Sequence, residues 1–283
     1  MFCKLEYRQN NYRGEDMRKN AMKDVKRIVI KVGSSSLTHD TGLINIGRVE
    51  NFVKQVADLH NKGYEIVLVS SGAIAAGIGK LNLPSRPDDI PVLQAAAAVG
   101  QVALIHLYQK LFSEYGQTIA QMLLTKDGLE DENRLFHSRN ASRELISRGV
   151  IQIVNENDAV AVDEIKFGDN DTLSALVAKF VGADLLILLS DIDGLYDSHP
   201  KENPNAKLIE EVSGIDDSIR ALAGDAGSSV GTGGMITKIM AAEIAVSSGI
   251  DMVIANSAQD WILKDIVEGK AVGTLFIKEA DKA

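Results

Sequence analysis

Two lysines occupy positions that ordinary surface cations avoid. Lys31 sits inside the apolar run "RIVIKV" (27–32), ahead of Gly33 and three serines. Lys238 closes "GTGGMITK" (231–238), four positions after Gly234. An unpaired ammonium is costly to bury, so Lys31 either snorkels to a sheet edge or meets an anion. In a Walker-type loop the lysine follows directly on the last glycine, and here it does not. If a helix starts near Met235, its side chains lean toward the N-terminus. Lys238, in the first turn, then folds back over the positive end of the helix, where glycine N–H groups attract an anion such as a phosphate. The plain alternative is a flexible glycine loop with a surface lysine.

Three other segments carry polar groups where ligands bind. "EIVLVSSGAIAAG" (65–77) places Ser70, Ser71 and Gly72 between a strand and an alanine-rich helix. That junction admits an anion, or it is an ordinary serine cap. "IVNENDAVAVDEIKFGDNDT" (153–172) holds two clusters, Asn155–Asp158 and Asp169–Asp171. Such groups can bind an amino group and a carboxylate together, hold Mg²⁺ or orient a lysine; alternatively, they form two solvated turns. "LLILLSDIDGLYDSHP" (185–200) runs from a strand into an acidic turn. Its Ser190 and Asp191 stand where open α/β sheets often hold a nucleotide, though a plain turn ending at Pro200 fits as well. The five histidines show no ligand spacing and Cys3 has no partner, which argues against zinc. No nucleophile–histidine pairing suggests a hydrolase, and Trp261 reads as packing.

These segments need a scaffold, and the sequence predicts one. The chain has 283 residues, 45% apolar and 24% charged, ample for a large core. Its net charge of −9 disfavours nucleic acid and anionic membranes as partners. A single cysteine allows no intrachain disulfide and suits a reducing cytoplasm. The most apolar long segment, Pro91–Tyr108, carries Gln94, Gln101 and His106, and reads as a buried or half-buried helix, not a membrane span.

Short β-branched runs at 27–32, 65–70, 118–123, 151–155, 185–190, 252–255 and 274–277 are apolar at nearly every position. That pattern predicts strands buried on both faces. Helical patterns lie near 46–62, 91–115, 127–148, 170–182, 235–249 and 258–269. The alternation predicts a three-layer α/β/α sandwich on a mainly parallel sheet, with ligands at the carboxyl ends of its strands. No linker divides the chain. Residues 1–25 mix both charge signs without an apolar core and read as a disordered leader, with Met17 or Met22 as an alternative start.

Taken together, "KVGSSSLT", "SSGAIAAG", "NENDAV", "GDND", "SDIDGLY" and "GTGGMITK" resemble the amino acid kinase family in order and approximate spacing. Within it they are most similar to the branch that phosphorylates glutamate on its side-chain carboxylate. The resemblance spans about 27–276 and implies one kinase domain over 26–283, its N-terminal part binding glutamate and its C-terminal part ATP. It implies that Lys31 and Lys238 flank the transferring phosphoryl group while Asp171 holds them. Ser71, Asp158 and Asn170 would bind glutamate, and Asp169 would lie close to both substrates. Ser190, Asp191 and the loop Thr232, Gly233, Gly234, Met235, Ile236, Thr237 and Lys238 would bind ATP. Mg²⁺ would arrive with the nucleotide, without a dedicated protein site. Feedback inhibition by proline and a homo-dimer or tetramer are implied too. The stretch 127–148, with Leu135, Phe136, Leu145 and Ile146, fits either an interface or core.

Three features depart from the family pattern. The leader matches nothing in it, and the chain ends where many members begin a PUA domain. His199-Pro200 stands where members often have Asp-Pro after "GLY". A sibling kinase with another acceptor, or a non-catalytic nucleotide or amino-acid sensor, are the rival readings.

Overall fold

The computed structural model describes residues 17–39, 43–160, 170–200, 202–223 and 234–279. A short helix over 17–22 (α1) leads into strand β1 (Arg27–Val32) and a single turn α2 (Ser34–Leu37). Then come α3 (Ile46–Asn61), β2 (Glu65–Ser70), α4 (Ala73–Lys80), α5 (Ile90–Glu114) and β3 (Ile119–Leu124). The middle of the chain forms α6 (Lys126–Glu130), α7 (Glu132–Ser147), β4 (Ile151–Glu156), α8 (Asn170–Val181) and β5 (Leu185–Ser190). The last third gives β6 (Glu211–Val212), α9 (Asp217–Leu222), α10 (Met235–Ser247), β7 (Asp251–Asn256), α11 (Ile262–Val267) and β8 (Thr274–Phe276).

The strands form one eight-stranded sheet in the order β3-β4-β2-β1-β5-β7-β8-β6. Every pairing is parallel except β7 with β8. Helices cover both faces, which makes the predicted three-layer sandwich. The alternation along β1 divides the layers. Ile28, Ile30 and Val32 pack in one core with α3, α5 and α11, whereas Val29 packs in the other with α8 and α10. Side chains two apart on a strand share a face, so Lys31 points to the side of α8 and α10.

On the other face, α4 and α5 touch backbone to backbone. A Cβ at Gly77 would lie 1.8 Å from the Ala96 carbonyl oxygen, and one at Gly100 would lie 1.7 Å from that of Ala73. Only glycine permits this approach. It fixes the start of α4 against the middle of α5. By length and composition α5 is apolar enough to cross a membrane. In the fold its Leu93, Ala96, Ala97, Leu104, Tyr108, Leu111 and Phe112 are buried, so the half-buried reading is the one the structure supports.

Three expectations change. The helical stretch 127–148 is two helices, because the Asp131 side chain accepts from Arg134 N–H (2.8 Å) and starts α7 anew. Trp261 is not core: it is 42% exposed, with Lys54 Nζ 5.3 Å from its ring centroid. The leader is ordered from residue 17, while 1–16 lie outside the described residues.

Arg18 explains that order. Its guanidinium is buried, donating to Val272 O (2.7 Å), Gly273 O (2.9 Å), Lys270 O (3.3 Å) and Glu210 O, with Glu211 Oε1 3.7 Å from Nε. One side chain thus ties the start of the chain to the β6–β8 edge. We expect Arg18→Ala to cost roughly 3 kcal/mol, since it strands several buried carbonyls and the Glu211 carboxylate. Urea denaturation measures this, and a chain begun at Met22 should show a loss at least as large.

Candidate active site

The sheet order reverses at β1: the chain leaves it toward β2 on one side, and β5 lies on the other. Such a switch point opens a crevice at the carboxyl ends of the strands. Among the described residues, Lys31, Ser71, Asn170, Asp171, Ser190, Thr237 and Lys238 lie at that end of the sheet or at the N-termini of α4, α8 and α10.

Asp171 is the centre. It is the second residue of α8 and has no solvent exposure. Lys31 Nζ lies 2.5 Å from its Oδ1 and Lys238 Nζ 3.0 Å from its Oδ2. Both lysines are themselves buried, at 8% and 4% exposure. Thr237 Oγ1 lies 3.0 Å from the same Oδ2 and 2.8 Å from Gly234 O, which pins the first turn of α10 to α8. Burial pushes the Asp171 carboxyl upward, but the two ammonium groups outweigh it and hold its pKa below the ordinary value. A carboxylate lowered in this way stabilises the fold from neutral pH down to about 4, and the contribution is lost only as pH falls through the depressed value.

The trio carries one net positive charge, from two ammoniums against one carboxylate. Gly33 leaves space beside it: a Cβ there would sit 3.7 Å from Lys31 Nζ and 3.8 Å from Ser35 Oγ. Two buried ammoniums next to a bare backbone are suited to an anion.

An amide chain borders the trio. Gln101 Oε1 accepts from Asn155 Nδ2 (2.9 Å), and Asn155 Oδ1 accepts from Asn170 Nδ2 (3.0 Å). Asn170 Nδ2 also donates to Ser71 Oγ (2.8 Å). Ser71 N–H donates to Val32 O (3.1 Å), and Gly72, at φ +104°, turns the chain into α4. That left-handed conformation favours glycine.

Next to β1, Ser190 Oγ donates to Asp191 Oδ1 (3.1 Å) at the end of β5. Ser190 O accepts from Ser257 N–H (2.8 Å), and Ser257 Oγ lies 2.8 Å from Ser36 Oγ. Asp193 accepts from Asn256 Nδ2 (2.9 Å) and Tyr196 OH (3.0 Å). The loops after β1, β5 and β7 are therefore tied together.

The structure brings Lys31, Asp171, Thr237 and Lys238 together, and Ser71 with Asn170. Ser190 and Asp191 lie on the neighbouring strand end, and Asp158 in the turn after β4. Met235 is partly buried and Ile236 is 42% exposed, both in the first turn of α10. Asp169, Thr232 and Gly233 lie outside the described residues. Gln101, Ser257 and Asn256 were not foreseen as site residues. Among the described residues there is no group of three His, Cys, Asp or Glu that could hold a metal ion.

Replacing Asp171 with alanine leaves two buried ammoniums without their shared partner. We expect a loss of about 3–5 kcal/mol in urea denaturation at neutral pH. Added phosphate or sulfate should restore part of it by mass action.

Residues 26–256 match the amino acid kinase family. The glutamate 5-kinase of Clostridium tetani is 58% identical over 259 residues, covering 92% of this chain and 97% of that protein. The glutamate 5-kinase of Carboxydothermus hydrogenoformans is 54% identical over 262 residues, covering 92% of this chain and 70% of its own length. Among solved structures, carbamate kinase from Giardia lamblia bound to AMP-PNP aligns with a TM-score of 0.65 at 20% identity, over 90% of this chain and 99% of that one. UMP kinase from Ureaplasma parvum aligns with a TM-score of 0.62 at 17% identity, again over 90% and 99%. Identities this low speak to the fold alone. The sheet, the placement of the motifs and the sequence match agree: the chain belongs to the amino acid kinase family, where it groups with the glutamate 5-kinases.

Proposed function

We infer that this chain transfers the γ-phosphoryl group of ATP to the side-chain carboxylate of glutamate. The products are γ-glutamyl phosphate and ADP, the first step from glutamate toward proline. The observation that carries this reading is the pair of buried ammoniums, from β1 and α10, converging on one buried aspartate.

The chemistry needs that arrangement. A glutamate carboxylate with a pKa of about 4.3 is already ionised at neutral pH, so the nucleophile requires no general base. The obstacle is repulsion between an anionic acceptor and a polyanionic donor, which positioning and electrostatics must overcome. A unit charge about 4 Å from another contributes roughly 4 kcal/mol at an effective dielectric near 20. Lys31 and Lys238 supply two such charges, and Asp171 holds both in place between turnovers. Ser71, Asp158 and Asn170 bind glutamate, with Asp169 near both substrates. Ser190, Asp191 and the 232–238 segment bind the nucleotide. The N-terminal part of the domain thus serves the acceptor and the C-terminal part the donor. Mg²⁺, bound through the phosphates, would shield their charge.

The same reading includes a cytoplasmic location, inhibition by proline at or near the glutamate pocket, and assembly with further copies of the chain. The half-exposed face of α5 at Val99 and Val102 and the exposed Phe136 on α7 give a second copy an apolar surface.

Lys238→Ala should fold and lose turnover by hundreds-fold, in line with removing one charge from the phosphoryl group. ADP release with each proteinogenic amino acid, with and without Mg²⁺, should respond to glutamate and need the metal. Hydroxylamine should trap an acyl phosphate. A signal with aspartate alone, or near-normal turnover in Lys238→Ala, would overturn the assignment.

A further inference from the structure

Gln101 lies on α5, a helix that the reaction proposed above does not otherwise use. It is 8% exposed, and its amide nitrogen is buried with no hydrogen-bond partner among the described residues. Its oxygen accepts from Asn155 Nδ2. This contact fixes the direction of every amide beyond it. Because Asn155 spends Nδ2 on Gln101, its Oδ1 faces Asn170 and accepts from Nδ2. Asn170 Nδ2 has two hydrogens and directs them to Asn155 and Ser71. The Asn170 carbonyl oxygen is then left outside the chain as an acceptor. Ser71 Oγ, accepting from Asn170, retains its own proton to donate.

We propose that Gln101 is a positioning residue that sets the polarity of this relay, and through it selects an α-amino acid as the acceptor substrate. An acceptor at Asn170 suits an α-ammonium, and a donor at Ser71 suits a carboxylate. Reversing the relay would present a donor to the ammonium, a repulsive arrangement. Gln101 resists reversal because a flip sets its amide N–H₂ against that of Asn155, donor to donor. The helix holds it rigidly: Gly100, its neighbour, touches α4 at Ala73, two residues after Ser71. Both ends of the relay are therefore anchored by one helix pair.

This inference rests on the glutamate reading, and the experiment separates the two. Glutarate, which is glutamate without the α-amino group, reports the ammonium contact. Gln101→Met retains volume and removes both polar atoms. We expect its KM for glutamate to rise roughly tenfold, the scale of one misplaced hydrogen bond, with kcat and the KM for ATP changed less than about twofold. The preference for glutamate over glutarate in kcat/KM should narrow by a similar factor. In an Asn155→Ala background the same substitution should have no further effect on the glutamate KM, because its route is already cut. Wild-type protein that neither binds glutamate by calorimetry nor releases ADP with it would overturn the functional reading, and this inference with it. Wild-type activity with an unchanged glutamate preference in Gln101→Met would overturn the positioning role alone. So would an undiminished effect in the Asn155→Ala background. A loss of melting temperature with no shift in the glutamate-to-glutarate ratio would mark Gln101 as structural only.

Discussion

Two buried ammonium groups share one buried carboxylate, and the rest of the site is arranged around that contact. Each lysine meets a different oxygen of Asp171, in a place where water does little to screen them. Buried charges of this kind persist only where the surrounding structure holds them in register. Lys31 comes from β1, Asp171 from α8 and Lys238 from α10. No local segment could assemble the trio, so the anion-seeking charge depends on the whole sandwich being folded.

The beginning of α8 joins this charge to the amide relay. Asn170 and Asp171 are consecutive, and successive residues on a helix point about 100° apart. One therefore reaches Ser71 and Asn155, while its neighbour reaches the two lysines. Anchoring on the two sides is independent. Thr237 pins α10 to Asp171, whereas the glycine contact between α4 and α5 fixes Ser71 against Gln101. The amide relay and the lysine pair are thus held at a fixed spacing by adjacent residues of one helix, and in the proposed reading these serve the amino acid and the phosphate. Phosphoryl transfer is sensitive to that spacing.

Much of the scaffold was legible in the sequence because its signals are local. The central parallel strands announced themselves as continuous apolar runs, since helices cover both their faces, whereas the edge strand β3 is largely half-exposed. Lys31 was conspicuous because an ammonium amid Val and Ile contradicts its surroundings. The offset of Lys238 from Gly234 pointed to a helix start, where the structure places it. Gln101 gave no such signal. An amide on an apolar helix looks like a tolerated polar residue until its partner, 54 positions away, is folded against it. Arg18 was hidden for the same reason, its acceptors lying at Glu210 and Lys270–Gly273. The break within 127–148 was hidden because the capping bond at Asp131 competes locally with an otherwise continuous helical pattern. Trp261 shows that aromatic character alone does not establish burial.

The state of Asp171 also restricts what chemistry the site can do. A general base must hold a pKa near the working pH and be able to accept a proton. Asp171 is lowered below its ordinary value and has an ammonium at each oxygen. It is a poor proton acceptor on both counts. An alcohol or amine acceptor would need a proton removed and would find no help from it. A carboxylate acceptor needs none, and is an anion that ammonium groups attract. The electrostatics that make Asp171 useless as a base are those that make the trio useful for bringing two anions into contact.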